Sequence, residues 1–168
     1  GGKASEALKT LDALGPAGDD QPRAQLTRSM ACTMLGMTQE ALDSASRAVE
    51  LSPNDKNALY AKAVALMGFN RDSEAAPIFV QIKKIDPRFA PAYFYSGLIY
   101  NSSGKTAQAR GEFELSLANV TPADAWIKEY ISKNFPGVKA ASVSNQQPAR
   151  RPSGPSASQP AQTAPSTL

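Results

Sequence analysis

The chain has 168 residues, 42% of them hydrophobic and 20% charged, with a net charge of +3 and no histidine. Length and balance fit one globular domain around a single core, while the lack of histidine removes the commonest general base and the commonest metal ligand together, which argues against catalysis, metals and cofactors. All 15 acidic residues and 15 of the 18 basic ones fall in residues 1–137, so the net charge belongs to the tail and the body lacks the one-sided Lys/Arg surface of a nucleic-acid binder.

Cys32 is the single cysteine, which excludes an intrachain disulfide and reads as a small buried apolar residue. No apolar run approaches the roughly 18 to 20 residues of a membrane-spanning helix. The bacterial periplasm and the cytoplasm both fit this composition.

The elements follow one period. Pro53 and Pro87 lie 34 residues apart, and at that spacing Ala41, Ala75 and Ala109 fall on one position, Ala45, Phe79 and Phe113 on another, and Gly36, Asn70 and Gly104 on a third. The last three are residue types that tolerate a left-handed backbone. Self-similarity at such a period means an array of supersecondary units.

In chain order, residues 2–21 contain KASEALKTLDAL, in register as the second helix of a unit whose first helix is missing. An unpaired helix of this kind makes the chain read as the carboxy-terminal part of something longer. Residues 22–55, 56–89 and 90–121 are three full units, each two amphipathic helices joined at the Gly/Asn, with Thr38, Asp72 and Thr106 as expected N-caps of the second helices. Residues 122–137 hold a capping helix over 122–134, with Trp126, Ile127, Tyr130 and Ile131 on one face. Residues 138–168 are rich in Ala, Ser, Gln and Pro, without an aromatic residue, and are expected to be disordered and to act as a linker or a partner-binding segment of polyproline character.

Several isolated motifs dissolve in this frame. Gly104-Lys105-Thr106 resembles the end of a phosphate-binding loop, but Ile99 stands where the first glycine must be, so Gly104 is expected to serve the turn instead. Lys83, Lys84 and Arg88 form a small basic cluster expected to be solvated. Glu112 and Glu114, two apart on a helix, diverge from any common substrate.

Tyr93, Gly97, Tyr100, Gly104, Ala109 and Phe113 in the third unit, Leu59, Ala63, Leu66, Ala75, Phe79 and Pro87 in the second, and Gly36, Ala41, Ala48 and Pro53 in the first carry a resemblance to the tetratricopeptide (TPR) repeat. Gln25 and Ser29 stand where Trp and Gly are usual. The resemblance implies an all-α solenoid of antiparallel helix pairs with a concave groove lined by the first helices. Transferred from the family, the groove residues are Leu26, Met30, Met34, Tyr60, Val64, Met67, Phe94, Leu98 and Asn101, with Arg23, Thr33, Asn57, Gly68, Pro91 and Ser102 at the same positions. Adaptors that clamp a peptide carboxylate carry Lys, Asn and Arg there. The apolar, aromatic and methionine content found here suits an extended apolar peptide or the apolar face of a helix.

The expected function is therefore that of a non-catalytic interaction module, a scaffold or assembly factor for a protein or peptide partner. Two alternatives stand beside it. The last unit and its sequel, APAYFYSGLIYNSSGKTAQAR followed by PADAWIKEY, resemble the end of the periplasmic TPR subunit of bacterial c-type cytochrome maturation, with Trp126 matching and the Pro that commonly precedes it absent. That resemblance implies a chaperone for the carboxy-terminal helix of an apocytochrome c. The other alternative is a structural scaffold that self-associates through its first helix or its groove.

Overall fold

The computed structural model describes residues 2–141. Helix α1 (Gly2–Ala13) and a single turn α2 (Pro16–Asp19) precede three helix pairs, α3 (Pro22–Met34) with α4 (Thr38–Leu51), α5 (Lys56–Gly68) with α6 (Asp72–Ile85), and α7 (Ala90–Ser102) with α8 (Thr106–Asn119). A 3-10 turn (Pro122–Asp124) leads into α9 (Ala125–Asn134). The described residues are thus all-α, as the periodicity implies.

Each pair turns in the same way. Gly36, Asn70 and Gly104 have φ of 74°, 57° and 73°. At each, the amide of that residue reaches back three positions and the next amide reaches back five: Gly36 to Thr33 and Met37 to Cys32, Asn70 to Met67 and Arg71 to Leu66, Gly104 to Asn101 and Lys105 to Tyr100, all at 2.9–3.2 Å. This is the Schellman closure, which satisfies the last carbonyls of the first helix and needs a left-handed residue at its centre.

The closure also corrects the cap assignment. Met37, Arg71 and Lys105 occupy the N-cap sites, and Thr38, Asp72 and Thr106 are the first helical residues, with no side-chain cap. The residue whose amide completes the closure is necessarily the last one outside the next helix. Asp55 does cap, accepting from the Asn57 amide at 2.8 Å to start α5.

Packing within a pair is decided by a few small residues facing larger ones. Ala41, Ala75 and Ala109, and with them Ala45, Phe79 and Phe113, are all buried. The two unusual residues of the first pair are accommodated by hydrogen bonds, since a buried polar group is costly only when unpaired. Ser29 donates to the Ala41 carbonyl at 2.8 Å, and the Gln25 amide donates to the Asp19 carbonyl at 3.2 Å.

Between pairs, α4 packs on α5 and α6 on α7, and α1 packs on α3 in the same role. Ala4 and Leu11 are buried there and Leu8 packs against the core, so much of the apolar stripe of α1 is covered. Lys83 is not a solvated charge. It bridges α6 to α8 through Glu112 at 2.9 Å and also donates to Ser96 at 3.1 Å.

Helix α9 closes the array against α8. Ile127 and Ile131 are fully buried in a second cluster with Phe94 and Phe113. The packed body runs past 137: Val138 lies against that cluster, and the Ala141 amide donates to the Glu114 carbonyl at 3.0 Å. Residues 138–141 of the segment expected to be disordered are thus among the described residues. The remainder of that expectation, 142–168, lies outside the described residues.

Candidate partner-binding groove

The groove is built from one face of each first helix. Helix α3 contributes Leu26, Met30, Thr33 and Met34, α5 contributes Asn57, Tyr60, Ala61 and Val64, and the far wall comes from Phe89, Pro91, Tyr95, Asp124 and Trp126. It encloses a volume of about 520 Å³. Residues at spacings of three and four fall on one helix face, which is why Leu26, Met30, Thr33 and Met34 line up, as do Asn57, Tyr60, Ala61 and Val64.

The structure brings together five of the nine expected site residues, Leu26, Met30, Met34, Tyr60 and Val64. Met30 is 57% and Met34 71% exposed, although both are large and apolar. Phe94 is corrected outright: it is 2% exposed and belongs to the core. Trp126 and Tyr130 from α9 meet its ring at 5.1 and 5.2 Å, and Tyr95 and Phe113 enclose it further. Met67 and Leu98 pack against the two core clusters, and Asn101 is exposed beyond the groove. Helix α9 covers in the last repeat the position that stays open in the earlier ones.

Sequence reasoning missed Ala61, Phe89, Tyr95, Asp124 and Trp126 as lining residues. Tyr95 had a readable signal, since it stands at the repeat position of Thr27 and Ala61, and Ala61 lines the groove from that same position. Phe89 and Tyr60 meet edge to face at 5.5 Å, Tyr60 and Tyr95 at 5.7 Å, and Tyr95 and Trp126 lie 6.5 Å apart. A continuous aromatic strip therefore crosses the groove. Lys56 extends it at the rim, 5.2 Å from the Phe89 ring and paired with Asp86.

Electrostatically the groove is apolar with one acid. Among the described residues Asp124 is the single charged one lining it, and it takes a hydrogen bond from the Thr121 hydroxyl at 2.6 Å. No ion pair among the described residues uses Asp124. Burial pushes the Tyr60 phenol well above its ordinary range, helped by neighbouring Tyr95 and by the charge of Asp124, so the phenol stays protonated at any physiological pH. Among the described residues no Lys or Arg lines it, so they do not supply the cationic side chains of a carboxylate clamp.

The rest of the surface offers less. A depression of about 440 Å³ between α4, α5 and α6 is lined by Asp43, Lys62, Arg71 and Glu74, but Arg71 is already bound through two contacts to Glu74 at 2.6 and 2.8 Å. Cys32 is buried, and that burial raises its pKa, so its thiol stays protonated at neutral pH. Among the described residues no three His, Cys, Asp or Glu side chains converge on a metal position, and no helix is long and apolar enough to cross a membrane.

Comparison with known proteins agrees with this geometry at the level of fold. No protein-family model matches the chain, and no curated protein is significantly similar to it. Among solved structures, the MamA crystal structure superposes with a TM-score of 0.62 at 21% identity, over 77% of this chain and 71% of that one. YrrB, described as a TPR protein with an unusual peptide-binding site, gives 0.59 at 21%, over 67% and 57%. A thermophilic TPR protein of Thermus thermophilus gives 0.66 at 20%, over 79% and 76%. The chain has the TPR fold. In this TPR solenoid the three helix pairs are the repeats, α1 stands as the second helix of a preceding half repeat, and α9 is the cap.

Proposed function

We propose that this chain is a non-catalytic interaction module whose concave TPR groove holds an apolar segment of a partner protein. The observation that carries the reading is a groove left open in a folded array and lined by Met30, Met34, Leu26, Val64 and an aromatic strip. Exposed methionines have a cost in solvation that a monomer has no structural reason to bear, and flexible thioethers repack around varied side chains. YrrB lends support by likeness, as a protein of the same fold with a peptide-binding site.

Display of random peptides on the immobilised chain tests the reading. Enrichment of segments rich in Leu, Ile, Met or Phe is expected. Enrichment of segments selected through a free terminal carboxylate, or no enrichment, would contradict it. A narrower reading, the apocytochrome chaperone, is favoured by Trp126 in the groove wall; it requires that a peptide of an apocytochrome c carboxy-terminal helix bind better than a scrambled one.

A further inference from the structure

We propose that the groove is occupied in the free protein by this chain's own tail, through residues 148–155. The inference rests on the groove reading above and names a resident occupant for it. Residues 148–155 read Pro-Ala-Arg-Arg-Pro-Ser-Gly-Pro, so that Pro152 and Pro155 stand in Pro-x-x-Pro spacing with Arg150 and Arg151 directly before them.

Proline-rich segments dock on aromatic-lined grooves because the polyproline II helix has three residues per turn, presents alternate prolines to flat rings, and leaves every carbonyl free to accept. The groove supplies matching parts. Phe89, Tyr60, Tyr95 and Trp126 form the aromatic strip, and the tyrosine hydroxyls and the indole N–H are donors for those carbonyls. Asp124, at the Trp126 end, is the one charge in the lining and has no cationic partner among the described residues. The complement is specific to the tail, which carries Lys139, Arg150 and Arg151 and no acid.

The chain is long enough. The Ala141 amide is hydrogen-bonded to the Glu114 carbonyl, which fixes the point of departure. From Glu114 to Asp124 the chain spans at most about 26 Å, taking ~1.5 Å per residue to the end of α8 and ~3.6 Å per residue after it. The nine steps from Ala141 to Arg150 reach about 30 Å when extended, comparable to that upper bound, and the Arg150 side chain adds several ångströms, so the length of chain is sufficient for Arg150 to approach Asp124. A tethered segment has an effective concentration in the millimolar range, and an intrinsic Kd of about 0.1 mM then fills the groove about nine-tenths of the time. An incoming partner has to displace it, which lowers the partner's apparent affinity about tenfold.

Trp126 is the only tryptophan among these 168 residues and lies in the groove wall, so its acrylamide quenching reads occupancy directly in the chain of 168 residues. Wild type should be quenched less than Arg150→Glu/Arg151→Glu, than Pro152→Ala/Pro155→Ala and than Asp124→Asn. The arginine variant should also bind display-selected apolar peptides about tenfold more tightly, and added synthetic 142–168 peptide should restore protection in it. Equal quenching in all four proteins, with selected peptides still binding the groove, overturns the tail proposal while leaving the groove reading intact. Loss of peptide binding from every protein, wild type included, sinks both. Protection that rises with protein concentration would put the tail in a neighbouring copy's groove and overturn the intramolecular arrangement.

Discussion

Gly97 shows how closely the array is fitted at single residues. A Cβ there would lie 2.5 Å from Cε1 of Phe113, a ring already held by Phe135 at 4.4 Å and by Phe94 at 6.1 Å. The equivalent positions hold Ala63 with Phe79 and Ser29 with Ala45. Gly97→Ala should therefore destabilise by about 1 to 3 kcal/mol despite its better helix propensity, because overpacking outweighs the roughly 1 kcal/mol gained from losing a helical glycine. Urea denaturation reads this, and pairing it with Phe113→Leu should recover most of the loss. Phe94→Ala should cost about 3 to 5 kcal/mol as a cavity in the cap cluster, whereas Met34→Ala should stay within about 0.5 kcal/mol. The burial of Phe94 was not legible in the sequence, because Tyr60 and Phe94 share a repeat position and it is Trp126 and Tyr130, folding back from α9, that make their surroundings differ.

The turns and helix pairs belong to the scale of elements, and here the sequence was most informative. A left-handed residue at a fixed period leaves a mark in composition, so Gly36, Asn70 and Gly104 could be recognised without coordinates. The caps were less legible, since whether Thr38 lies just inside or just outside its helix depends on the five-residue closure and not on residue type. Asn70 is the only non-glycine residue of the described chain with positive φ. Asn70→Ala should cost about 1 kcal/mol in left-handed strain while Asn70→Gly should not destabilise, measured as shifts in denaturation midpoint.

A second prediction at this scale concerns the joint between pairs, where Lys56 at the start of α5 holds Asp86 after α6. The Lys56 ammonium first, and the Arg88 amide second, keep the Asp86 carboxyl below the ordinary carboxylate range. A folded pKa below the unfolded one means stabilisation that is complete above the unfolded value, about 3.9, and lost as pH falls through the folded value. The pair is partly solvated, so the contribution is about 0.5 to 1 kcal/mol. Wild type should exceed Asp86→Asn in stability by that constant margin above about pH 5, and the margin should close below pH 4.

At the scale of the whole molecule, the solenoid converts a repeated local pattern into one long surface. Each unit buries its small and aromatic residues against its neighbour, and what remains unburied on the first helices adds up along the axis. The array was legible because repetition multiplies a weak signal. Its closure was only half legible: α9 announced itself by Ile127 and Ile131, but that the same helix also supplies Trp126 to the groove, and the 3-10 turn before it Asp124, depends on the angle at that turn, which no periodicity encodes.

The most direct measurement is a calorimetric titration of a display-selected apolar peptide into wild type and into Met30→Glu/Met34→Glu, with thermal unfolding recorded on both. Both side chains are exposed in the groove, so the unfolding midpoints should agree while the affinity falls by at least about tenfold, or 1.4 kcal/mol. Equal affinity for the two proteins would mean that the partner is held elsewhere and would contradict the assignment of the groove.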